Sequence, residues 1–380
     1  KPTKIFEPPR FTPFAVIGRE YVSATSMVLT VRPRAGSVER ECGDQDPYAE
    51  AWERGPWSVE AKQPELQIAR AYTPLPPLDG NGKRDLRFLI RREERGEVSR
   101  YLHGLPLGAQ VELRGPKTEA ELPAAVSDVV FLAGGTGIAP ALQVVYTLLE
   151  RRKGGEMLRI RVVWANRKRE DCIGGASAHH PPPRTGNGNG NGTANTTPGP
   201  GYIVRELQNL QRKYPQNLQV QYVVDEEGTA LDQKRIAPLL NIPQSDARTV
   251  KYSPVTTRID SKLLFVSGPD GFVDYLAGPK KWEGGKEGQG ELGGRFKTYG
   301  GTGLEGVEAV KWTAFECTIF CVVGGFESWG LMIKIRRLSG QRQSRTLSYI
   351  RQNTNTLGVP LQESLIHHLA SRLFRASGTD

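Results

Sequence analysis

Four short stretches carry residue types that bind or move charge. The first runs from Val129 to Pro140 (VVFLAGGTGIAP), where an apolar run enters a glycine-rich turn. A second apolar stretch, Ala141 to Leu149, follows it. An unbroken apolar run is the pattern of a parallel strand buried on both faces, so this reads as strand, turn and helix. Gly134, Gly135 and Gly137 permit positive φ and close backbone approach. Pro140 suits a first helical position. The N–H groups of that helix start would then face an anion. The spacing is Gly-x-Gly-x-x-Pro, which departs from the Gly-x-Gly-x-x-Gly dinucleotide fingerprint. A plain strand–turn–helix without a ligand fits the same residues.

The second stretch is Arg70, Tyr72, Thr73 and Pro74 at a strand end. The guanidinium suits a phosphate or a ribityl chain. The phenol ring can cover the face of a flavin, and the Thr73 hydroxyl can reach the position where hydride arrives, while an ordinary strand end fits the same residues. The third is Arg95 to Leu102 (RGEVSRYL), a turn into a short helix. Gly96 allows close approach there, and Ser99 with the backbone N–H groups could hold a pyrophosphate. An ordinary helix start with a polar first-turn serine is the alternative. The fourth is Leu263 to Phe272 (LLFVSGPDGF), a second buried strand followed by a turn at Gly268 and Pro269 and then a helix. In a parallel sheet its carboxyl end should lie near the first glycine turn.

The elements that must position these groups fall into two sets. Residues 11–118 read as β-rich, with strands at Phe14 to Ile17, Ser26 to Val31, Leu66 to Tyr72, Leu86 to Ile90 and Ala109 to Leu113. Residues 34–64 are polar and rich in turn formers and read as an insertion loop; Pro116 marks a boundary. A small antiparallel barrel is expected. Residues 125–282 alternate strands with helices. The strands are Asp128 to Ala133, Leu158 to Ala165, Leu218 to Val224 and Lys262 to Ser267, and the helices 140–151, 203–213, 232–240 and 270–277. That alternation predicts a parallel sheet. The Pro/Gly/Asn tract at 174–201 cannot bury a core and is expected to be disordered. Residues 283–380 receive no domain, and poor order is expected toward the C-terminus.

At 380 residues the chain can hold two cores. Its net charge of +10 comes without a basic stripe interleaved with aromatics, so nucleic acid is not expected as a partner. Cys42, Cys172, Cys317 and Cys321 make neither a disulfide framework nor a zinc set, and no metal site is expected. No apolar run reaches the ~20 residues that span a bilayer.

The order of the four stretches is more specific than any one of them. It resembles the ferredoxin–NADP reductase superfamily, and its cytochrome b5 reductase branch most closely, over roughly residues 11–278. The resemblance implies an antiparallel β-barrel that binds FAD, followed by an α/β domain that binds NADH or NADPH. Hydride would pass from coenzyme to flavin, and electrons would leave singly to a haem acceptor. It implies that Arg70, Tyr72 and Thr73 contact the flavin and that Gly96, Val98 and Ser99 hold the FAD pyrophosphate. Gly135, Thr136 and Gly137 would face the nicotinamide nucleotide, with Gly268 and Pro269 shaping the ring pocket. Thr73, Thr136 and Ser267 would flank hydride transfer. Ser267 stands where the family carries cysteine, and Val98 where it carries methionine. After the second strand of the α/β domain, Asp171 matches an acidic residue associated with NADH, while Arg167 and Arg169 could instead bind a 2′-phosphate.

The opening Lys4 to Phe14, the long insertion before Arg70 and the stretch Gly278 to Lys286 resemble a narrower group, the fungal cytochrome c mitochondrial import factors. That resemblance implies a mitochondrial inner-membrane flavoprotein that supports haem attachment to apocytochrome c. Its partner would be a haem protein such as apocytochrome c or its haem lyase, and a membrane anchor would lie upstream of Lys1. A flavin-binding assembly factor with vestigial redox activity, and a general cytochrome b5-type reductase, are the alternatives. The match fails after about Gly294.

Overall fold

The computed structural model describes residues 5–6, 9–34, 46–78, 82–155, 157–176, 199–239, 261–283, 286–289, 308–314 and 317–324. Most of the tract at 174–201 and most of 283–380 lie outside them.

The first half is one curled antiparallel sheet. Its elements are β1 (Thr12–Tyr21), β2 (Ser26–Pro33), α1 (Ala49–Arg54), β3 (Trp57–Gln63), β4 (Ile68–Tyr72), β5 (Pro74–Leu75), β6 (Leu86–Arg91), α2 (Glu97–Gly104) and β7 (Gln110–Thr118). The strand order is β4-β3-β7-β1-β2-β6-β5. The outermost strands, β4 and β5, are separated in sequence by Thr73 alone, so the two edges meet there and the sheet closes on itself. Side-chain alternation supplies the interior: Met27, Leu29 and Val31 of β2 join the barrel core, while Val28 packs into the core of the other sheet.

One expectation fails in this half. Residues 34–64 are not all loop, since α1 and β3 lie inside them and β3 pairs with both β4 and β7. The reason is in Trp57–Gln63 itself (WSVEAKQ), where apolar and polar residues alternate at period two and Trp57 is fully buried. Pro116 lies inside the last barrel strand, β7, which ends at Thr118.

The second half contains β8 (Val126–Gly134), α3 (Ile138–Val145), β9 (Arg159–Asn166), α4 (Tyr202–Lys213), β10 (Leu218–Val224), α5 (Gln233–Leu239), β11 (Ser261–Gly268) and α6 (Asp270–Ala277). A π-helical turn, Tyr146–Arg151, extends α3. The order β10-β9-β8-β11 is parallel throughout. Val129, Phe131 and Ala133 of β8 face the α3 side, and Val130 and Leu132 face α5 and α6. Burial on both faces is why Val129–Ala133 of β8 is apolar without a break. Part of the stretch left without a domain belongs here. A hairpin, β12 (Lys280–Glu283) and β13 (Lys286–Gln289), is followed by β14 (Glu308–Ala314) and β15 (Cys317–Gly324). β15 runs antiparallel along β11, with β14 outside it.

Buried polar bonds join the two sheets. Gln143 of α3 accepts the Trp57 N–H (2.8 Å) and donates to the Pro74 carbonyl (2.8 Å). One turn on, the Thr147 hydroxyl donates to the Trp52 carbonyl (2.8 Å). Arg87 of β6 donates to the Tyr202 hydroxyl (2.7 Å), pairs with Glu206 of α4 (3.2 Å) and reaches the Pro76 carbonyl.

Candidate functional site

Strand order reverses between β8 and β11, and in open α/β sheets ligands settle in the crevice outside the carboxyl ends at such a point. Both turns singled out in the sequence are there. Ala133 pairs with Ser267, so the segment after Gly134 and the segment after Gly268 leave the sheet side by side. Of the three turn glycines only Gly135 takes positive φ (+53°). The other two are glycine for space. A methyl group on Gly134 would stand 2.8 Å from the Phe272 ring, and one on Gly137 would stand 2.2 Å from the Ser267 carbonyl oxygen. Pro140 is the third residue of α3, two residues beyond the first helical position expected, and Gly135–Gly137 forms a 3₁₀ turn ahead of the helix. Trp164 of β9 donates its indole N–H to the Gly135 carbonyl (2.8 Å) and holds the turn from one side. Ser267 is 0% exposed and its hydroxyl has no hydrogen-bond partner among the described residues.

On the barrel, Arg70, Tyr72 and Thr73 lie along β4 and its closing seam. The Tyr72 ring is only 4% exposed, edge-on to Phe88 with centroids 6.5 Å apart, so its face forms part of the barrel core instead of an open platform. Arg70 and Thr73 are half-buried. The turn into α2 is built tightly. The Ser99 hydroxyl accepts the Glu93 N–H (3.2 Å) and donates to the Gly96 carbonyl (3.1 Å). A methyl group on Gly96 would meet that hydroxyl at 2.4 Å, which explains the glycine. Val98 is buried in the barrel core. Ser99 thus spends its side chain on the turn, and the first-turn N–H groups of α2 are what it offers an anion. Ser99→Ala is expected to cost about 1 kcal/mol of stability, the scale of a lost helix-start hydrogen bond, while flavin stoichiometry is retained. Chemical denaturation with flavin absorbance checks both.

The two halves face each other across a narrow cleft. Val22, Ser26, Leu89 and Arg91 line it from the barrel, and Gly135, Thr136, Trp164, Asn166 and Asp171 from the α/β side. Arg91, Asn166, Trp164 and Gln143 were not singled out in the sequence. Gln143 and Thr147 had a usable signal, as two polar residues four apart in an otherwise apolar helix. Asp171 is where the structure differs most from expectation. It is 5% exposed; one carboxylate oxygen accepts the Ser23 hydroxyl (2.6 Å) and the other pairs with Arg91 (3.3 Å). Arg169 is bound at 2.6 Å to each oxygen of Glu227, which leaves Arg167 as the exposed guanidinium of that turn. Burial pushes the neighbouring Cys172 thiol up to about 11 and keeps it neutral. The Asn166 amide, 3% exposed at the end of β9, has no partner among the described residues except that thiol. Buried polar groups without partners are rare, and a bound ligand or an ordered water is what supplies the missing bond. Asn166, Ser267 and the bare glycine turn therefore fit a polar heterocyclic nucleotide.

Known proteins agree with this division. The model of the oxidoreductase FAD-binding domain matches residues 57–122, and that of the oxidoreductase NAD-binding domain matches residues 131–176. An NADH-cytochrome b5 reductase 1 from Pyricularia oryzae is 28% identical over 175 residues, which is 46% of this chain and 54% of the relative. The cytochrome c mitochondrial import factor CYC2 of Saccharomyces cerevisiae is 46% identical over 80 residues, 18% of this chain and 22% of the relative. The cytochrome b5 reductase domain of Ulva prolifera nitrate reductase, a solved structure, aligns with a TM-score of 0.40 at 18% identity. It covers 58% of this chain and 76% of that one. The chain spans about half the length of the b5 reductase 1 relatives from Pyricularia oryzae and Cryptococcus neoformans.

Proposed function

The chain belongs to the ferredoxin reductase-like superfamily, and from that premise we propose that it is an FAD-dependent NAD(P)H oxidoreductase delivering electrons to a haem or cytochrome acceptor. The observation that carries this reading is the meeting of the β8 and β11 turns at the switch point, across a cleft from the barrel. Bound FAD supplies hydride acceptance and single-electron release. The chain's own residues bind and orient. Arg70 and the α2 start at Gly96, Val98 and Ser99 hold the FAD phosphates, and Thr73 lies at the ring end, with Tyr72 buried in the barrel core behind it. Gly135, Thr136 and Gly137 receive the coenzyme at the α3 start, where N–H groups and the helix dipole favour its phosphates. Gly268 and Pro269 wall the nicotinamide, with the Thr136 and Ser267 hydroxyls beside it. Burial in the cleft excludes water from the transfer.

The finer reading is a mitochondrial inner-membrane protein that keeps haem iron reduced for attachment to apocytochrome c, with apocytochrome c or its haem lyase as partner. It is supported by the likeness to the yeast import factor and by the opening and 278–286 stretches that resemble that group. Among the described residues no helix is long and apolar enough to cross a membrane. Ser267 favours a second reading, a flavin-binding assembly factor with vestigial redox activity, because a fully buried hydroxyl replaces the family's thiol. A general cytochrome b5-type reductase is a third. Anaerobic stopped-flow mixing of the flavin-loaded protein with NADH and with NADPH separates the first two. The oxidoreductase reading expects the flavin absorbance to bleach. Bound flavin that stays oxidised for minutes with both coenzymes would leave the assembly factor standing.

A further inference from the structure

We propose that Trp164 is a positioning residue for the coenzyme: its indole N–H fixes and polarises the glycine turn, so that the turn's own N–H groups hold the diphosphate more strongly. The inference rests on the reading that the Gly135–Gly137 turn receives a nicotinamide nucleotide.

Trp164 lies on β9 directly across from Ala133, and Ala165 across from Gly134, so the indole stands beside the point where the chain leaves β8. It is 1% exposed. Its ring is tilted against Tyr222 of β10, with centroids 6.0 Å apart. Tyr222 is backed in turn by Gly175, where a methyl group would stand 2.5 Å from the phenol ring. The indole is thus braced from the β10 side, and its N–H donates to the Gly135 carbonyl at 2.8 Å. That carbonyl also accepts the Ile138 N–H. Two donors from different elements occupy its two lone pairs and fix its direction. Gly135 needs such a tether. It holds a left-handed φ of +53°, and a glycine leaves that conformation as readily as it enters it.

A planar trans peptide carries its carbonyl and its N–H in one fixed plane. Pinning the Gly135 carbonyl therefore sets the plane of the Gly135–Thr136 peptide and the direction in which the turn's N–H groups face. Hydrogen bonds in series also polarise one another. A donor on the carbonyl makes the N–H side a better host for an anion, and an anion there makes the carbonyl a stronger acceptor for the indole. The coupling is reciprocal. An indole has a single donor, so Trp164, although it lines the cleft, acts on the phosphates through the turn.

Two measurements on the flavin-loaded full chain test this without turnover: isothermal titration with ADP-ribose, and the indole N–H resonances of isotopically labelled tryptophan. Trp164→Phe keeps an aromatic ring and removes the donor. It is expected to weaken ADP-ribose roughly 5- to 10-fold, the value of one buried neutral hydrogen bond, with flavin stoichiometry retained. In the wild type, the resonance that Trp164→Phe lacks should move downfield as ADP-ribose binds. A strengthening hydrogen bond gives that signature, and a side chain that only fills space does not. Wild-type affinity in Trp164→Phe overturns the proposal. So does a resonance that stays in place, or one that adenosine, which has no diphosphate, moves as far. If Trp164→Phe does not fold, the resonance is assigned from its nuclear Overhauser contact with the Tyr222 ring and decides the matter in the wild-type chain. A wild-type chain that takes up no ADP-ribose removes the nucleotide reading and this inference with it. A Trp164-dependent ADP-ribose site in a protein whose flavin never bleaches would keep this inference and remove the oxidoreductase reading.

Discussion

Gly137→Ala is expected to destabilise the protein by about 2–3 kcal/mol and to abolish nicotinamide-nucleotide binding. The backbone at Gly137 is ordinary and right-handed, so conformational strain is not the cause. The cause is a new methyl carbon 2.2 Å from the Ser267 carbonyl oxygen and 2.9 Å from the Gly268 nitrogen. Those are backbone atoms of β11 and cannot rotate away as a side chain would. The turn and the end of β11 must separate, which undoes the switch-point crevice itself. Gly135→Ala is a useful contrast, since its methyl would have room and only its left-handed φ is strained, worth about 1 kcal/mol. Gly271→Ala, in α6 with open space around it, should be neutral or slightly stabilising. Urea unfolding ranks the three, and titration with ADP-ribose reads the site.

Arg87→Met should cost about 3–5 kcal/mol at neutral pH, with the loss shrinking as the pH falls. Arg87 is 1% exposed and Glu206 is buried beside it. Burial pushes the Glu206 carboxyl above its ordinary value, and Arg87 is the group that pulls it down. Removing Arg87 raises it further. A carboxyl whose folded pKa lies above its unfolded value stabilises the fold below the ordinary carboxylate range and loses that contribution as pH rises through the folded value. The variant should therefore approach wild type near pH 4 and fall away toward pH 8. Arg87→Met with Glu206→Leu should recover most of the loss, because an apolar pair of similar volume replaces a buried ion pair at little cost. Thermal melts across that pH range decide it. A penalty independent of pH would show that lost packing is responsible.

The α/β half was the more legible because its signals are local. Val129–Ala133 and Leu263–Val266 are apolar on both faces, and the helix after each glycine turn is close by in sequence. Leu218–Val224 and Asp270–Ala277 have the limits read from the sequence. The barrel was harder. β3 lies within a polar, turn-rich segment, where its short alternating run is masked by its surroundings, and its pairing with β4 and β7 depends on distant parts of the chain. The site divides the same way. The glycine turn could be read because backbone geometry demands glycine there. Tyr72 and Asp171 carry the residue types of ligand groups, yet tertiary packing takes both up, the first into the barrel core and the second onto Ser23 and Arg91. Arg91 becomes conspicuous only when barrel and α/β sheet are placed together.

Helix α3 touches both half-sites. It starts at the nucleotide turn, and six residues after Gly137 its Gln143 side chain grips Trp57 and Pro74 at the place where the barrel closes. At 1.5 Å per residue that is a fixed bar of about 9 Å. Ring-to-ring transfer tolerates little error, since a misplacement of about 1 Å costs on the order of 100-fold in rate. The spacing between the turn and the barrel seam is thus gauged by the backbone of this helix. One inserted residue in that bar would swing Gln143 by about 100° and release the barrel from the gauge, with every ligand-contacting side chain left in place.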